Sequence, residues 1–417
     1  MKFLHTADWH LGRRLHGQDL APEHEACLNE ILNLLREHRV DALIHAGDVF
    51  DSGNPPQAAL KLYYSFLTRA VAAGCRTIII TGGNHDSPAA LNAPKDLLEA
   101  MNVYVVGGAT DDITDEIIPI RNADGTTLGY CCAVPFLRDK DLRYSVPGES
   151  DAERSKRIIA GIREHYERVF QETVEVAQIL KTENLPIIAT GHLFAQGGIT
   201  GDLDNKEQIH VGNLGQIGAD AFPAGFAYVA LGHLHRPQIV GKQDRVRYSG
   251  SPVALDFSER SDEKQVFIVE CLPEQPANVV SVRLPTFRRL VRFSGTITEI
   301  EHAIAALDTS TDALPTFAEV HLAHDPNAAT LDANEHFRAL AHTKHGEQMQ
   351  ILRVVQERAF GTSAFDDGFT TALEELSPSD VFAERLKKSG FEDGKADELR
   401  STFAELLTLV DEGVLSA

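Results

Sequence analysis

Cysteine is scarce in this 417-residue chain, and the five present (Cys27, Cys75, Cys131, Cys132 and Cys271) form neither a CxxC pair nor a spaced disulfide framework. They read as small core residues. Long apolar runs are missing too: none reaches the roughly 18 residues that a membrane-spanning helix needs. The opening MKFLHTADWH has no basic flank, extended apolar stretch or small-residue cleavage site of a secretory signal. The expected compartment is therefore the cytoplasm. Positive charge is short as well, with 39 Lys and Arg against 61 Asp and Glu and a net charge of −22. Such a balance argues against a protein that coats nucleic acid by general electrostatics. It leaves room for a carboxylate-rich site whose positive charge comes from bound metal ions, or from partner subunits. Neither an internal repeat nor a low-complexity tract is present.

What is there is alternation. Over the first 280 or so residues, short apolar runs (KFLHTAD, DALIHAGD, TIIITGGN, LGYCCAVPF, LPIIATGH, FAYVALGH, then VRYSGSP and QVFIVEC) alternate with amphipathic stretches. Cys27, Ile31, Leu34 and Leu35 share one face of a helix expected from about Glu23 to Arg39, and Ile158, Ile162, Tyr166, Phe170 and Val174 mark a second within 151–181. The expected fold is α/β, with layered sheets covered by helices. Near residue 280 the texture changes. Strand-like VVSVRLPTFRRLVRFSG, FAEVHLAHD and MQILRVVQERA, with helical IEHAIAALD and ANEHFRALAHT between them, suggest a small α/β domain over 281–359. Residues 360–417 follow, with 13 acidic and 5 basic side chains, more than a third of the net charge. There Leu399, Phe403, Leu406, Leu407 and Val410 form an apolar stripe on the last helix, with Gly413 placed to stop it.

The chemistry gathers at strand ends. Five apolar runs finish in potential metal ligands: Asp8 and His10 in TADWH, Asp48 in HAGDVFD, Asn84 and His85 in GGNHD, His192 in ATGH, and His233 and His235 in LGHLH. In α/β sheets the carboxyl ends of strands are where distant residues converge on a ligand. Glycines at 47, 83, 191 and 232 allow close backbone approach there. Two divalent cations can clamp a phosphate and acidify a water into a nucleophile, and a carboxylate can bridge them. Neutral imidazoles and an amide oxygen complete the shells without repelling an anionic substrate. A single GH or DxH occurs by chance, whereas five such ends in order do not. Mixed imidazole and carboxylate ligation suits manganese, iron or zinc better than magnesium.

The series DxH, GDxxD, GNHD, GH and GHxH resembles that of the calcineurin-like metallophosphoesterases. The stretches HTADWHLG, HAGDVFDSGNPP, TGGNHDS, ATGHL and LGHLHR followed by RYSGSP are similar to a branch of that family whose members are DNA nucleases. The resemblance covers essentially the whole chain, and no ligand position departs from the pattern. It implies a metallophosphoesterase β-sandwich flanked by helices over 1–280, a small α/β capping domain that contacts DNA over 281–359, and C-terminal helices over 360–417 that dock an SbcC-like coiled-coil ATPase. It implies that Asp8, His10 and His235 hold one metal, Asn84, His192 and His233 the other, and that Asp48 bridges them, with manganese the favoured ion. His85 would stay unliganded and face the scissile phosphate, oriented by Asp51, the second acid of GDxxD. The implied activity is hydrolysis of DNA, as exonuclease at double-strand ends and endonuclease at hairpins, in repair, recombination and replication. A homodimer within a two-plus-two complex is implied as well.

Several residues carry competing readings. Asp86 reads as a hydrogen-bonding support of the turn, Trp9 as packing, and His5 and His45 as core or supporting groups. Arg13 and Arg14, just after His10, are placed to meet a DNA backbone, or are solvated surface. Arg288, Arg289 and Arg292 either touch phosphates or pair with nearby acids. The tail stripe either docks a partner helix or folds back on its own domain. Two other functions stay open: a small-substrate phosphodiesterase on the same fold, and a non-catalytic subunit that tethers DNA.

Overall fold

In a computed structural model of the chain, residues 1–142, 151–195, 217–323 and 332–356 are described, together with the single positions 382, 386, 399, 402 and 403. Residues 1–356 form one compact unit and 357–417 a second. Within the second, the rings of Phe382 and Phe403 stack with centroids 4.0 Å apart. The rest of the expected tail stripe (Leu406, Leu407 and Val410) and its stop at Gly413 lie outside the described residues.

Two six-stranded sheets face each other in the first unit. One contains β1 (Lys2–Thr6), β2 (Ala42–Ala46), β3 (Thr77–Thr81) and β4 (Val103–Val106), all parallel, with two antiparallel strands added beyond β1. The other contains β5 (Ile117–Arg121), β6 (Thr127–Cys132), β7 (Ile187–His192), β8 (Tyr228–Gly232), β9 (Gln238–Val240) and β10 (Gln243–Tyr248), in the order β9-β10-β8-β7-β6-β5. The antiparallel additions to the first sheet are β11 (Gln265–Glu270) and β12 (Asn278–Arg283), giving the order β12-β11-β1-β2-β3-β4. Phe3, Ile44, Ile79, Cys131, Ile188, Tyr228 and Phe267 fill the space between the sheets. The alternate residues Leu4, Leu43, Ile78 and Ile80 face outward onto helices α1 (Ala21–His38) and α2 (Gln57–Ala72). Both faces of the sheet are covered, which is why its strands read as nearly continuous apolar runs.

Most of the expected elements are present. Helix α1 begins two residues earlier than expected, with Pro22 in its first turn, and ends at Arg39, whose φ of 48° breaks the helix. Three strands escaped the pattern: β4, β5 and β9. β5 is a sheet edge that carries Pro119, a residue tolerated only at such margins. The expected domain division at 280/281 falls inside β12, which completes the first sheet.

The third sheet is parallel: β13 (Leu290–Gly295), β14 (Thr316–Leu322) and β15 (Met349–Gln356). One face packs Phe293, Val320 and Ile351 against Ile300, Ile304 and Phe337 of two flanking helices, Ile297–Ala306 and Ala333–His345. On the other, Leu290 and Phe317 join the core beneath α1. Arg288 fastens this junction. Its guanidinium donates to the carboxylate of Glu23 on α1 and to Pro315 O at 2.5 Å, and lies 3.9 Å over the Phe317 ring. Arg289 donates to Asp308 O at 2.9 Å and Arg292 to Glu319 Oε1 at 2.5 Å. Arg288 and Arg292 are thus paired with acids within the unit, one of the two alternatives that the sequence left open, whereas Arg289 reaches a main-chain carbonyl and lies 3.9 Å from Asp312 Oδ2.

Two measurements test this packing. Arg288→Ala leaves the Glu23 carboxylate buried and unpaired, so chemical unfolding should show a loss of about 3–5 kcal/mol, with a smaller loss for Glu23→Gln/Arg288→Met. Burial also holds His5 and His45 down to about 3 and His24 to about 4, below their ordinary value of 6.5. Unfolding takes up protons between those values, so their contribution is full above pH 6.5 and is lost as pH falls toward 4, at roughly 1.4 kcal/mol per pH unit for each histidine. In EDTA-treated protein, His5→Gln should flatten the dependence of the urea midpoint on pH by about one such increment. An unchanged slope would contradict the assignment.

Candidate metal centre

The carboxyl ends of β1, β2 and β3 in one sheet meet those of β7 and β8 in the other. Register sets this up: Thr6 pairs with His45, Ala46 with Thr81, and His192 with Gly232, so all five chains leave their sheets at the same level. Each exit turns sharply. Asp8, His10, Asp48 and His233 have φ of 52°, 46°, 56° and 103°, in the left-handed region that L residues seldom occupy. The turns aim side chains into one space. At Gly83 a Cβ would lie 2.1 Å from Asp48 Oδ1, so only glycine leaves room for that carboxylate.

Seven donors surround the space. Asp48 Oδ2 lies 3.5 Å from His10 Nε2 and 3.2 Å from His192 Nε2. Asn84 Oδ1 lies 3.0 Å from His192 Nε2 and 3.2 Å from His233 Nδ1. Donor atoms of Asp8, His10 and His235 fall within 4.8 Å of one another, as do those of Asp8, Asp48 and His192. Main-chain donors hold the acids: His233 N reaches Asp8 Oδ1 at 2.9 Å, and His85 N reaches Asp48 Oδ1 at 2.9 Å. The structure therefore brings together every residue that the sequence singled out as a ligand.

Electrostatics and orphaned atoms show what this space suits. Asp8, His10, Asp48 and His192 are all buried. Neither ring nitrogen of His10 makes a well-formed hydrogen bond, its nearest acceptors being Asp51 Oδ1 at 3.4 Å and Asp48 Oδ2 at 3.5 Å, a costly state for polar atoms removed from water. His192 Nδ1 donates to Ala46 O at 3.0 Å, so its Nε2 faces only oxygens, those of Asn84 and Asp48. Burial disfavours a charged imidazole, yet the carboxylates of Asp48 and Asp8 outweigh it and push His192 up to about 9. Burial likewise opposes the charge of Asp48, but His192, His10 and His85 hold its carboxyl well below the usual range. Asp8 is raised, chiefly by its burial. A centre that draws a proton onto a fully buried imidazole is one that suits a cation, and its oxygen and imidazole donors fit divalent transition ions.

Three further arrangements surround these donors. Asp86 accepts from Val49 N at 3.1 Å, Phe50 N at 3.0 Å and Gly83 N at 2.9 Å, tying the turns after β2 and β3 together. Trp9 is buried edge-on against His45 and Phe66, and donates to Thr6 Oγ1 at 3.0 Å. Asp51 differs from expectation. Its main-chain carbonyl accepts from His85 Nδ1 at 3.0 Å, while its carboxylate turns to His10 Nδ1 at 3.4 Å and Arg13 at 3.2 Å. The charged partner Arg13 draws the carboxylate away, so a neutral carbonyl orients His85 through Nδ1. Arg14 is exposed, in a short hairpin beside the site.

One supporting group was missed altogether. Glu259 Oε1 accepts from His235 Nδ1 at 2.9 Å. It sits in an irregular acidic segment, SERSDEK, where no periodicity separates a buried carboxylate from its solvated neighbours.

Such a centre can bind two cations side by side, with an imidazole left over at its mouth. Residues 1–237 match the family described as calcineurin-like phosphoesterase, and residues 286–389 that described as type 5 capsule protein repressor C-terminal domain. The SbcD subunit of nuclease SbcCD from Escherichia coli strain K12 is 32% identical over 413 residues, 99% of either chain. The protein of the same name in Bacillus subtilis strain 168 is 33% identical over 295 residues, 70% of this chain and 72% of its own. That of Rhodobacter capsulatus is 38% identical over 265 residues, 62% and 64% of the two chains. Similarity that carries both the metal-centre half and the C-terminal half places the chain in the calcineurin-like phosphoesterase family and, within it, in the SbcD family.

Proposed function

We propose that the chain is the metal-dependent nuclease subunit of an SbcCD-type complex. It hydrolyses DNA phosphodiester bonds, as exonuclease at double-strand ends and endonuclease at hairpins, in repair, recombination and replication. The observation that carries the reading is the convergence of seven donors from five strand ends, with His85 beside them and committed through Nδ1 to a carbonyl. Asp8, His10 and His235 would hold one ion, Asn84, His192 and His233 the other, and Asp48 would bridge. Manganese is the favoured ion. Bound there, two such ions would polarise the phosphate and lower the pKa of an attacking water.

The side chains supply the rest. With Nδ1 committed to the Asp51 carbonyl, His85 would use Nε2 to neutralise charge developing on the phosphate or to give a proton to the leaving oxygen. Asp51 fixes that orientation through its carbonyl, and steadies His10 and Arg13 through its carboxylate. Arg13 and Arg14, just after His10 in the chain, would meet the DNA backbone. With a net charge of −22, the chain relies on its metal ions and on its partners to hold a polyanion.

The relatives' shared name, which makes each of them one subunit of SbcCD, supports an SbcC-like coiled-coil ATPase as partner. We assign the docking of that ATPase to 360–417 and a DNA-contacting cap to the part of 281–359 that follows β12, in a homodimer within a heterotetramer. The cytoplasm is the compartment. Among the described residues no helix is long and apolar enough to cross a membrane.

With an SbcC-type partner, ATP and Mn2+, the wild-type chain should cleave labelled hairpin DNA, and EDTA should abolish cleavage until Mn2+ is restored. His85→Leu should lower the rate by about 10²–10⁴-fold while both metals still bind, since it removes an acid-base group and no ligand. Equal rates for variant and wild type would overturn the role of His85. Efficient cleavage of cyclic nucleotides with hairpins left intact would favour a small-substrate phosphodiesterase. Binding of DNA and metal without cleavage by either protein would favour a tethering subunit.

A further inference from the structure

Behind His235 lies a buried ion pair that the activity described above does not use. Glu259 and Lys264 are 9% and 8% exposed, and Lys264 Nζ lies 2.5 Å from Glu259 Oε2. The other carboxylate oxygen, Oε1, accepts from His235 Nδ1 at 2.9 Å. Every other polar contact fixes this pair in place. Oε2 also takes Ser251 Oγ at 3.2 Å and Leu255 N at 3.3 Å, while Lys264 Nζ donates to Ser251 Oγ at 2.9 Å and to His235 O at 3.3 Å. The ammonium therefore grips both the carboxylate behind the imidazole and the main chain that carries it.

Such an arrangement costs free energy. Removing a carboxylate and an ammonium from water is only partly repaid by their attraction, and an apolar pair of similar volume would often be as stable. A fold that keeps the charges here obtains something else from them. A carboxylate on Nδ1–H fixes the tautomer so that Nε2 carries the lone pair, fixes the ring plane, and makes the imidazole a stronger donor. Nε2 is the nitrogen left to the space shared with Asp8 and His10. The other ligand imidazoles are steadied differently: His192 through the Ala46 carbonyl, and His10 by Asp51 at 3.4 Å.

We infer that Glu259, clamped by Lys264, is a positioning residue for His235, setting the affinity of one of the two metal positions and leaving the other nearly untouched. The inference rests on the assignment of His235 as a ligand. It concerns only how that ligand is oriented, and the crevice of about 70 Å³ that Glu259 and Lys264 line, together with Glu23 and Arg288, places this support beside the junction with the third sheet.

The test is a Mn2+ titration of the full chain, followed by calorimetry and by the EPR signal of unbound ion. Its readouts are the two dissociation constants and, in the metal-free protein, the ¹⁵N shifts of the His235 ring. Glu259→Leu/Lys264→Met removes acceptor and counter-charge together, so no buried charge is left unpaired. It should weaken one site about 10–100-fold, leave the other within twofold, and move proton density from Nδ1 toward Nε2. Glu259→Gln retains an acceptor oxygen and should recover most of the affinity and the tautomer. His235→Ala is the control for the assignment itself and should lose the same single site. If His235→Ala leaves both sites at wild-type affinity, the ligand assignment fails. If His235→Ala loses one site while both Glu259 variants keep both within twofold, with unchanged ¹⁵N shifts, the positioning role alone is overturned. Should the double variant not melt cooperatively, the wild-type ¹⁵N shifts decide: a His235 ring whose proton does not reside on Nδ1, the nitrogen facing Glu259 Oε1, overturns the positioning role.

Discussion

The carboxylate of Asp48 is the contact on which the rest of the centre depends. It belongs to the turn after β2, yet it reaches His10 from β1, the His85 amide from the turn after β3, and His192 from the opposite sheet. A buried carboxylate is tolerated only where such partners satisfy it. Asp48 therefore constrains four segments at once, and each of them is shaped to accept it. Gly83 gives up its side chain, and Asp86 binds the amides on both sides of the gap so that the turns cannot drift apart. These contacts join the carboxyl ends of the two facing sheets.

Such closure is held against local preference. Four donors sit on left-handed backbone, a conformation that costs on the order of 1–3 kcal/mol per non-glycine residue. Two acids and several imidazoles are confined where water cannot screen them. None of this would persist on a loop. It persists because each strained residue follows a strand whose other residues are locked in the core between the sheets, Phe3 ahead of Asp8 and His10, Ile44 ahead of Asp48, Tyr228 ahead of His233. The apolar sandwich holds the strands that carry the donors, and a rigid support of that kind is the condition for a metal position to be selective.

How much of this was legible in the sequence follows from the range of the forces involved. Strand ends were readable because an apolar run that stops at Gly-Asn-His-Asp or Gly-His is a local signal. The donors fell together because parallel register carries them to one level. The third sheet and its helices were visible in the same way, by periodicity. The partners of partners were not. Whether Asp51 offers His85 its carboxylate or its carbonyl depends on Arg13, which competes for the charge across 38 positions. Glu259 could not be told from its solvated neighbours, since nothing nearby in the chain announces that His235 and Lys264 enclose it. β5 was hidden by its proline, and the division near residue 280 by a strand that resembles the domain after it and pairs with the one before.

Charge placement links the centre to the rest of the molecule. The basic stretch RRLVR looks, as text, like a surface for phosphates. In the fold its first arginine is spent on Glu23 and the Phe317 ring, its second on Asp308, its third on Glu319, so the stretch serves to seat the third sheet on α1. Arg13 is half spent in the same way on Asp51. A strongly acidic chain that spends Arg288 and Arg292 on buried acids keeps less fixed positive charge for a phosphate backbone. Divalent cations held among the buried acids and imidazoles would supply such charge, so the charge that would bind an anionic substrate is the same charge that would act on it.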